Sequence, residues 1–105
     1  MPLYAAICLD HPPHSGDKRD EFRQPHREYV QANDAPIRLV GPLLDDDGNQ
    51  CASIYIFEAE CAQDVTDWLA GEPFTANGVY RDVIVQEFFL GKNSLPAQDW
   101  PNRTT

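Results

Sequence analysis

Apolar and polar residues alternate along the chain in short blocks, and the period of the alternation changes from block to block. Four runs, at residues 3–9, 37–40, 51–57 and 79–89, are short and rich in apolar residues. Their length, their β-forming side chains and the turn residues beside them are typical of strands. The pattern therefore predicts four strands.

The segments between these runs predict one hairpin turn and two helices. The sequence DDDGN at residues 45–49 is typical of a turn that joins two antiparallel strands. Pro25 suits the first position of a helix, so the first helix is predicted from about Pro25 to Asn33. Gly71 lies just past the second helix, where a left-handed residue is wanted, and residues 73–78 follow as a turn or short helical piece. The apolar stripe of the second helix consists of Ala62, Val65, Trp68 and Leu69.

The order β-α-β-β-α-β predicts an α+β, ferredoxin-like fold. Its sheet is expected to be antiparallel, except that strands one and three are predicted to be parallel neighbours. The crossover rule places both helices on one face of the sheet. One domain is predicted for residues 1–90, followed by a polar C-terminal tail at residues 91–105 that is rich in proline and asparagine.

Both faces of the predicted sheet are apolar. In the last strand, Tyr80, Ile84 and Phe88 point to one face, and further apolar residues point to the other. Two helices cover one face, so the other exposes a patch that monomers seldom tolerate. We therefore predict a homodimer in which two copies pack their open sheet faces together. The alternative is that the C-terminal tail folds back over this face.

The composition argues against some classes of binding partner. The 105 residues carry a net charge of -9, with 17 acidic and 8 basic side chains, which argues against nucleic acid and against an anionic membrane surface. Cys8, Cys51 and Cys61 form neither a disulfide framework nor a C-x-x-C zinc motif. No signal peptide and no apolar run of membrane-spanning length are found, so a cytoplasmic location is expected.

Four stretches, taken in order, resemble the YciI-like (YCII-related) family. They are LYAAICLD at residues 3–10, RQPH at 23–26, GPL with the DDDG turn at 41–48, and EPF followed by GVY at 72–80. The resemblance covers about residues 3 to 90. It implies small dimeric α+β barrel proteins, a few of which are implicated in lyase-like dehalogenation of aromatic rings.

The same resemblance implies candidate site residues. The family's histidine corresponds to His26, its arginine to Arg23, and its acidic residue at the end of the first strand to Asp10. Its Asp-Pro pair after the second helix becomes Glu72-Pro73, and the longer glutamate changes the reach of the carboxylate. In the third strand only Ser53 matches the family's usual Gly-Ser.

A histidine and a carboxylate suggest proton transfer. His26 is expected in the first helical turn, where the helix dipole disfavours imidazolium, so a neutral imidazole could accept a proton. The predicted topology favours Asp10 as its carboxylate partner, whereas Glu72 is expected at the opposite edge of the sheet. Arg23 is a candidate for binding an anionic group. Each residue also has a purely structural interpretation: a packed histidine, a capping aspartate or a solvated ion pair.

Two functions remain open from the sequence. The first is a small lyase-type or isomerase-type enzyme in which His26, Asp10 and Glu72 are catalytic, and Arg23, Ser53 and Phe74 contact a small-molecule substrate. The second is a non-catalytic dimeric module that binds a ligand or assists another enzyme. No organic cofactor and no metal are expected for either, since the sequence has no phosphate-cradling loop and no calcium-loop pattern.

Overall fold

A computed structural model of the protein describes residues 1–96 and 98. The described chain forms four strands and three helices in the predicted order, with a short third helix after the second. The strands are β1 (Leu3–Asp10), β2 (Ile37–Leu44), β3 (Gln50–Glu58) and β4 (Tyr80–Phe88). The helices are α1 (Gly16–Ala32), α2 (Ala62–Ala70) and α3 (Pro73–Ala76).

The sheet has the order β2-β3-β1-β4, and each neighbouring pair is antiparallel. The predicted ferredoxin-like α+β fold is confirmed, but the prediction that the first and third strands are parallel is wrong. Each helix connection joins two parallel strands that have an antiparallel strand between them, so β1 and β3 run in opposite directions. As a consequence, α2 returns the chain to the end of the sheet at which β1 finishes.

The first helix begins nine residues earlier than predicted, at Gly16 instead of Pro25. Proline is disfavoured inside a helix because it lacks an N–H donor and crowds the preceding turn. Here Pro25 lies within α1, and the helix continues through it. The start is fixed instead by Ser15, whose N–H donates to Asp10 Oδ2 at 3.0 Å and whose Oγ donates to the Val79 carbonyl at 2.6 Å.

The predicted hairpin between β2 and β3 is present, and Gly48 in its turn has a φ of +83°. Gly71 follows α2 as predicted, but its φ of -89° is not left-handed. Its lack of a side chain has another reason: a Cβ there would lie 3.0 Å from the hydroxyl oxygen of Tyr29. Glycine at this position therefore lets α1 approach the end of α2.

The helices cover one face of the sheet, and the core lies between them. In the central strands, Cys8, Tyr55 and Phe57 point to this covered face and are fully or almost fully buried. Tyr80 was predicted to share a face with Ile84 and Phe88, which is wrong. A register shift between Leu9 and Asp10 reverses the alternation, so Tyr80 pairs with Asp10 and is buried on the covered side.

The opposite face of the sheet remains open in the described chain. Register places apolar side chains of all four strands on it, and those of the outer strands are exposed by 37–44%. We call this surface the open face: Leu3, Ile7, Leu39, Leu43, Ile54, Ile56, Ile84 and Phe88.

The predicted tail at residues 91–105 falls partly outside the described residues, at 97 and 99–105. The described part, residues 91–96 and 98, is exposed and forms neither helix nor strand. Within the described chain, no helix has both the length and the apolar character needed to cross a membrane.

Candidate functional site

A groove of about 780 Å³ separates α1 from strands β2 and β3. Helix α1 supplies one wall, including Arg23, His26 and Arg27, and the strands supply the other. Phe74 of α3 also lines the groove. Four of the predicted site residues line this groove: Arg23, His26, Ser53 and Phe74.

His26 is held by Glu72. The Nδ1 atom of His26 contacts Oε1 of Glu72 in a short hydrogen bond, and the Glu72 side chain is completely buried. The imidazole also stacks on the Phe74 ring, with centroids 4.0 Å apart and planes only 7° from parallel. Because Nδ1 is bound to the carboxylate, Nε2 is the nitrogen that a molecule in the groove can reach.

Glu72 is fixed by the helix that follows it. Its Oε1 accepts the Phe74 N–H at 2.9 Å, and its Oε2 accepts the N–H and the hydroxyl of Thr75, each at 3.0 Å. Glu72 is thus the N-cap of α3, with Pro73 at the first helical position. Burial alone would raise the pKa of the Glu72 carboxyl, but the hydrogen bonds from His26, Phe74 and Thr75 lower the pKa below its ordinary value.

Two predictions about His26 are corrected by these contacts. His26 lies ten residues after Gly16 and not in the first turn of α1, so it is outside the reach of the dipole at the start of the helix. Its acidic partner is Glu72 and not Asp10. A parallel pairing of β1 and β3 would place Glu72 at the far edge of the sheet, whereas the observed antiparallel pairing brings the end of α2 beside α1.

Asp10 instead pairs with Arg19, in a buried ion pair. Nε and Nη2 of Arg19 donate to the two oxygens of Asp10, each at 2.7 Å, and both side chains are at most 2% exposed. Burial alone would lower the pKa of the Arg19 guanidinium, but its hydrogen bond to Asp10 raises the pKa, so the cation is kept. Asp10 therefore organises the groove floor and the start of α1 and does not contact His26.

Ser53 belongs to the same buried network. Its Oγ accepts the Tyr80 hydroxyl at 2.8 Å and lies 3.2 Å from Nη2 of Arg19, while Nη1 of Arg19 donates to Gln50 at 3.2 Å. The Arg19 guanidinium lies 5.3 Å from the ring centroid of Phe74 and 5.7 Å from that of Tyr80. Ser53 and Phe74 are thus connected through Arg19, a residue that the sequence did not indicate.

Arg23 lies in the groove wall as a largely buried side chain, with Nη1 2.6 Å from the exposed carboxylate of Asp20. Arg19, Arg23 and Arg27 recur every four residues and so share one face of α1. This spacing is present in the sequence. It was not recognised because the helix was predicted to begin only at Pro25.

No group of three or more His, Cys, Asp or Glu residues within residues 1–96 is arranged to hold a metal ion. His14, which flanks the prolines of the loop after β1, accepts the Gly16 N–H through Nδ1 at 3.0 Å. This contact gives His14 a local role at the start of α1.

Comparison with known proteins assigns the family. The YCII-related domain matches residues 2–89. The chain belongs to the YCII-related family. An uncharacterised protein from Haemophilus influenzae is 32% identical over 94 residues, which cover 82% of this chain and 96% of that protein.

Solved structures support the same fold for this YCII-related chain. The 5-chloro-2-hydroxyhydroquinone dehydrochlorinase TftG of Burkholderia phenoliruptrix, in complex with 2,5-dihydroxybenzoquinone, has a TM-score of 0.75 and 29% identity, covering 85% of this chain and 95% of that one. Rv0793 of Mycobacterium tuberculosis has a TM-score of 0.51 and 15% identity, covering 90% of this chain and 100% of that one. The second likeness concerns the fold alone.

The YCII resemblance implied two acids, Asp10 and Glu72, and the predicted topology favoured Asp10, whereas the geometry pairs Glu72 with His26. The family's acid after the second helix corresponds to Glu72, and this carboxylate reaches His26 despite its extra methylene. The resemblance does not account for Tyr55, a groove-lining residue whose buried hydroxyl has no hydrogen-bond partner among the described residues. Burial raises the pKa of this phenol above its ordinary value.

Proposed function

We propose that this chain is a small acid/base catalyst that removes a proton from a hydroxylated or carbonyl-bearing substrate in the groove, in an elimination or a related proton transfer. The observation that carries the proposal is the contact between Nδ1 of His26 and the buried Glu72 carboxylate. A neutral imidazole with Nδ1–H donated to that carboxylate presents Nε2 as a proton acceptor.

Glu72 has two tasks in this proposal. It fixes the tautomer and the direction of the imidazole, and it stabilises the imidazolium that forms when Nε2 takes a proton. Its lowered pKa keeps the Glu72 carboxyl ionised at neutral pH. Because its oxygens are also held by α3, the carboxylate does not need to reorganise when the positive charge develops.

The proposed elimination removes a proton and a leaving group from the substrate. His26 Nε2 takes a proton from a substrate O–H or C–H bond, and the electron pair of that bond forms a new double bond. The bond to the leaving group, such as a halide, breaks, and the leaving group departs with its electron pair. The proton then passes from His26 to water, so the net change is the loss of H–X from the substrate. The step as proposed requires no organic cofactor.

The likeness to TftG supports this reaction class. That protein is a dehydrochlorinase of a hydroxylated aromatic compound, and its structure holds a dihydroxybenzoquinone. At 29% identity the likeness makes halogenated hydroquinones the first compounds to test, without fixing the substrate of this chain. The stacked rings of His26 and Phe74 offer a flat surface that suits a planar substrate.

Turnover assays with His26→Gln test the proposal. We expect the wild-type chain to release chloride from 5-chloro-2-hydroxyhydroquinone or a related halogenated hydroquinone, and the variant to lose about 10²- to 10⁴-fold in kcat. His14→Gln is the matched control and is expected to keep full turnover. A His26→Gln variant with wild-type turnover would contradict the proposal.

The same assay examines the second candidate function. If the wild-type chain binds these compounds tightly and never turns them over, a non-catalytic ligand-binding or accessory module is the better description. The open groove and the satisfied Asp10–Arg19 network are compatible with binding alone. Chloride release by the wild-type chain would eliminate this alternative.

We also infer that the open face is covered by a second copy of the chain, giving a homodimer. Four strands spaced about 4.8 Å apart and about eight residues long present roughly 500 Å² on one face. Two such faces bury about 1,000 Å² together, which is near the lower limit for a specific interface. The described part of the C-terminal segment is exposed, Leu95 by 77%, which favours a second copy over the tail as the cover.

A further inference from the structure

The groove is a concentration of positive charge on an acidic protein. Four of the eight basic residues in the chain line it: Arg19, Arg23, Arg27 and Arg38. Asp34 is the only acidic side chain among its lining residues in the described chain, although the sequence has 17 acidic residues. A uniform distribution of charges would give the opposite balance, so the groove has an electrostatic character of its own.

The four arginines differ in how many of their N–H donors are already hydrogen-bonded within the protein. Arg19 is bound to Asp10, and Arg38 donates to Glu58 at 2.5 and 2.9 Å and to two backbone carbonyls. Arg23 has one short contact, to the exposed Asp20. Arg27 makes no hydrogen bond or ion pair within the described part of the chain. Arg23 and Arg27 therefore retain donors for a ligand.

The spacing of these two arginines has a structural cost. Arg23 and Arg27 are four residues apart on α1, where like charges repel each other and weaken a helix. Within the described chain, no ion pair at Arg27 offsets this repulsion. An anion between the two guanidinium groups would relieve it, and guanidinium forks match the geometry of carboxylate and phenolate oxygens.

Tyr55 gives an independent indication that the groove takes a polar ligand. The residue is completely buried, lines the groove from β3, and its hydroxyl has no hydrogen-bond partner in the described chain. Buried hydroxyl groups in proteins are normally hydrogen-bonded, so an orphan in a cavity wall indicates a missing partner. Because the hydroxyl has almost no accessible surface, a ligand oxygen would supply this partner only after a shift of the groove wall on binding.

The remaining walls indicate the shape of the ligand. His26 and Phe74 form a stacked pair, and Val30, Val40 and Pro42 add apolar surface. We propose that the groove selects a planar ring compound that carries an anionic oxygen group, a carboxylate or an ionised phenol or enol, and that Arg23 and Arg27 are the pair that recognises this charge. Only the assignment of the reacting proton to His26 rests on the proposed function.

The arrangement would also assist the chemistry. A substrate hydroxyl that loses its proton to His26 becomes an anion beside Arg23 and Arg27, and nearby positive charge favours the ionised form. The arginines are thus specificity-determining residues for the ground state and stabilise the charge that proton removal creates.

Equilibrium binding of inert probes tests the charge preference without turnover. Calorimetric titrations of the full chain would compare 2,5-dihydroxybenzoate with the neutral 2,5-dihydroxybenzamide, which has the same ring and hydroxyl groups. We expect the carboxylate to bind at least tenfold more tightly, with an advantage that shrinks as salt is raised. A further titration with 2,5-dihydroxybenzoquinone, which is ionised near neutral pH, distinguishes recognition of an enolate from recognition of a carboxylate.

Variants assign the preference to residues. Arg27→Gln is expected to reduce carboxylate binding about fivefold to tenfold and to leave amide binding unchanged, whereas Arg81→Gln, at an exposed ion pair on β4, changes neither. Tyr55→Phe is expected to weaken all bound probes about threefold without loss of thermal stability. Equal binding of carboxylate and amide, no binding of any anionic probe, or full retention of the preference in Arg27→Gln would each overturn the proposal.

The two proposals fail separately. A charge preference that disappears in Arg27→Gln, together with wild-type turnover by His26→Gln, would leave the recognition pair standing and remove the catalytic histidine. Turnover that depends on His26 without any preference between benzoate and benzamide would do the reverse. Measuring the charge preference of His26→Gln itself is a direct check, because that variant is expected to keep it.

Discussion

The Glu72 carboxylate contacts Nδ1 of His26 with the same oxygen that accepts the Phe74 N–H at 2.9 Å. A single side chain therefore caps α3 and orients the imidazole. Phe74 is also the ring on which His26 stacks. The N-cap of α3 therefore fixes both contacts of the imidazole, the Glu72 carboxylate and the Phe74 ring. The proposed base is consequently coupled to the local fold of the α2–α3 segment.

The first prediction concerns pH and stability. The pKa of Glu72 is lowered in the folded chain from its ordinary value of 4.5, by His26, Phe74 and Thr75 acting against burial. A lowered folded-state pKa stabilises the protein above the unfolded value, and this contribution is lost as pH falls through the folded-state value. Below about pH 4.5 the wild-type chain should therefore lose a contribution that Glu72→Gln never had.

Urea unfolding of the wild type and Glu72→Gln, measured from pH 7 downward, checks this sign. At pH 7 the variant should be less stable by about 1–3 kcal/mol, because buried donors lose a charged acceptor. The difference should shrink as the pH falls below 4.5, the ordinary value for this carboxyl. Glu21→Gln, at an exposed position on α1, is the matched control. A difference that stays constant or grows toward acid would contradict the assignment.

The second prediction concerns the length of the Glu72 side chain. Glu72→Asp keeps the charge but shortens the side chain by one methylene, so it cannot both cap α3 and reach Nδ1 of His26 in the present backbone. We expect kcat to fall about tenfold to a hundredfold with little change in KM, since substrate contacts are preserved. Steady-state kinetics on a halogenated hydroquinone would measure the split, and an unchanged kcat would separate Glu72 from the proposed base.

The sequence was sufficient for the four strands and for the alternation along β3, but not for the start of α1 or for the contacts in the site. Periodicity places Tyr55 and Phe57 on one face of β3, as found, because alternation along a strand is a local property. The partner of His26 depends on the direction of β3 relative to β1, which no local pattern records. Tyr80 was misplaced because the bulge opposite Asp10 has no signal in the sequence.

The third prediction concerns the buried ion pair on the groove floor. Arg19→Met leaves Asp10 charged and buried without its cation, so the free energy of unfolding should fall by about 3–5 kcal/mol. Arg81→Met removes an exposed pair with Asp82 and should cost less than about 1 kcal/mol. Urea unfolding measures both. Equal, small losses would mean that the Asp10–Arg19 pair contributes no more than a surface contact.

A double-variant cycle separates the pair from its surroundings. Adding Asp10→Leu to Arg19→Met removes the unpaired carboxylate, and we expect the double variant to be more stable than the sum of the two single losses predicts. Strict additivity would show that the two charges do not depend on each other. The Ser15 N–H also loses its acceptor in Asp10→Leu, so recovery of the full wild-type stability is not expected.

The last prediction concerns the open face. Ile84 and Phe88 of β4 are 43% and 37% exposed, and register places them beside Ile7 and Leu3 on an uncovered apolar surface. If two copies pack through this surface, Ile84→Asp buries a charge within the interface in both copies and dissociates the dimer. Thr66→Asp, on the exposed side of α2, introduces the same charge elsewhere and should leave the dimer intact. Sedimentation velocity of the wild type and both variants measures the state directly, and a monomeric wild type, or an Ile84→Asp variant that sediments as a dimer, would exclude the open face as the interface.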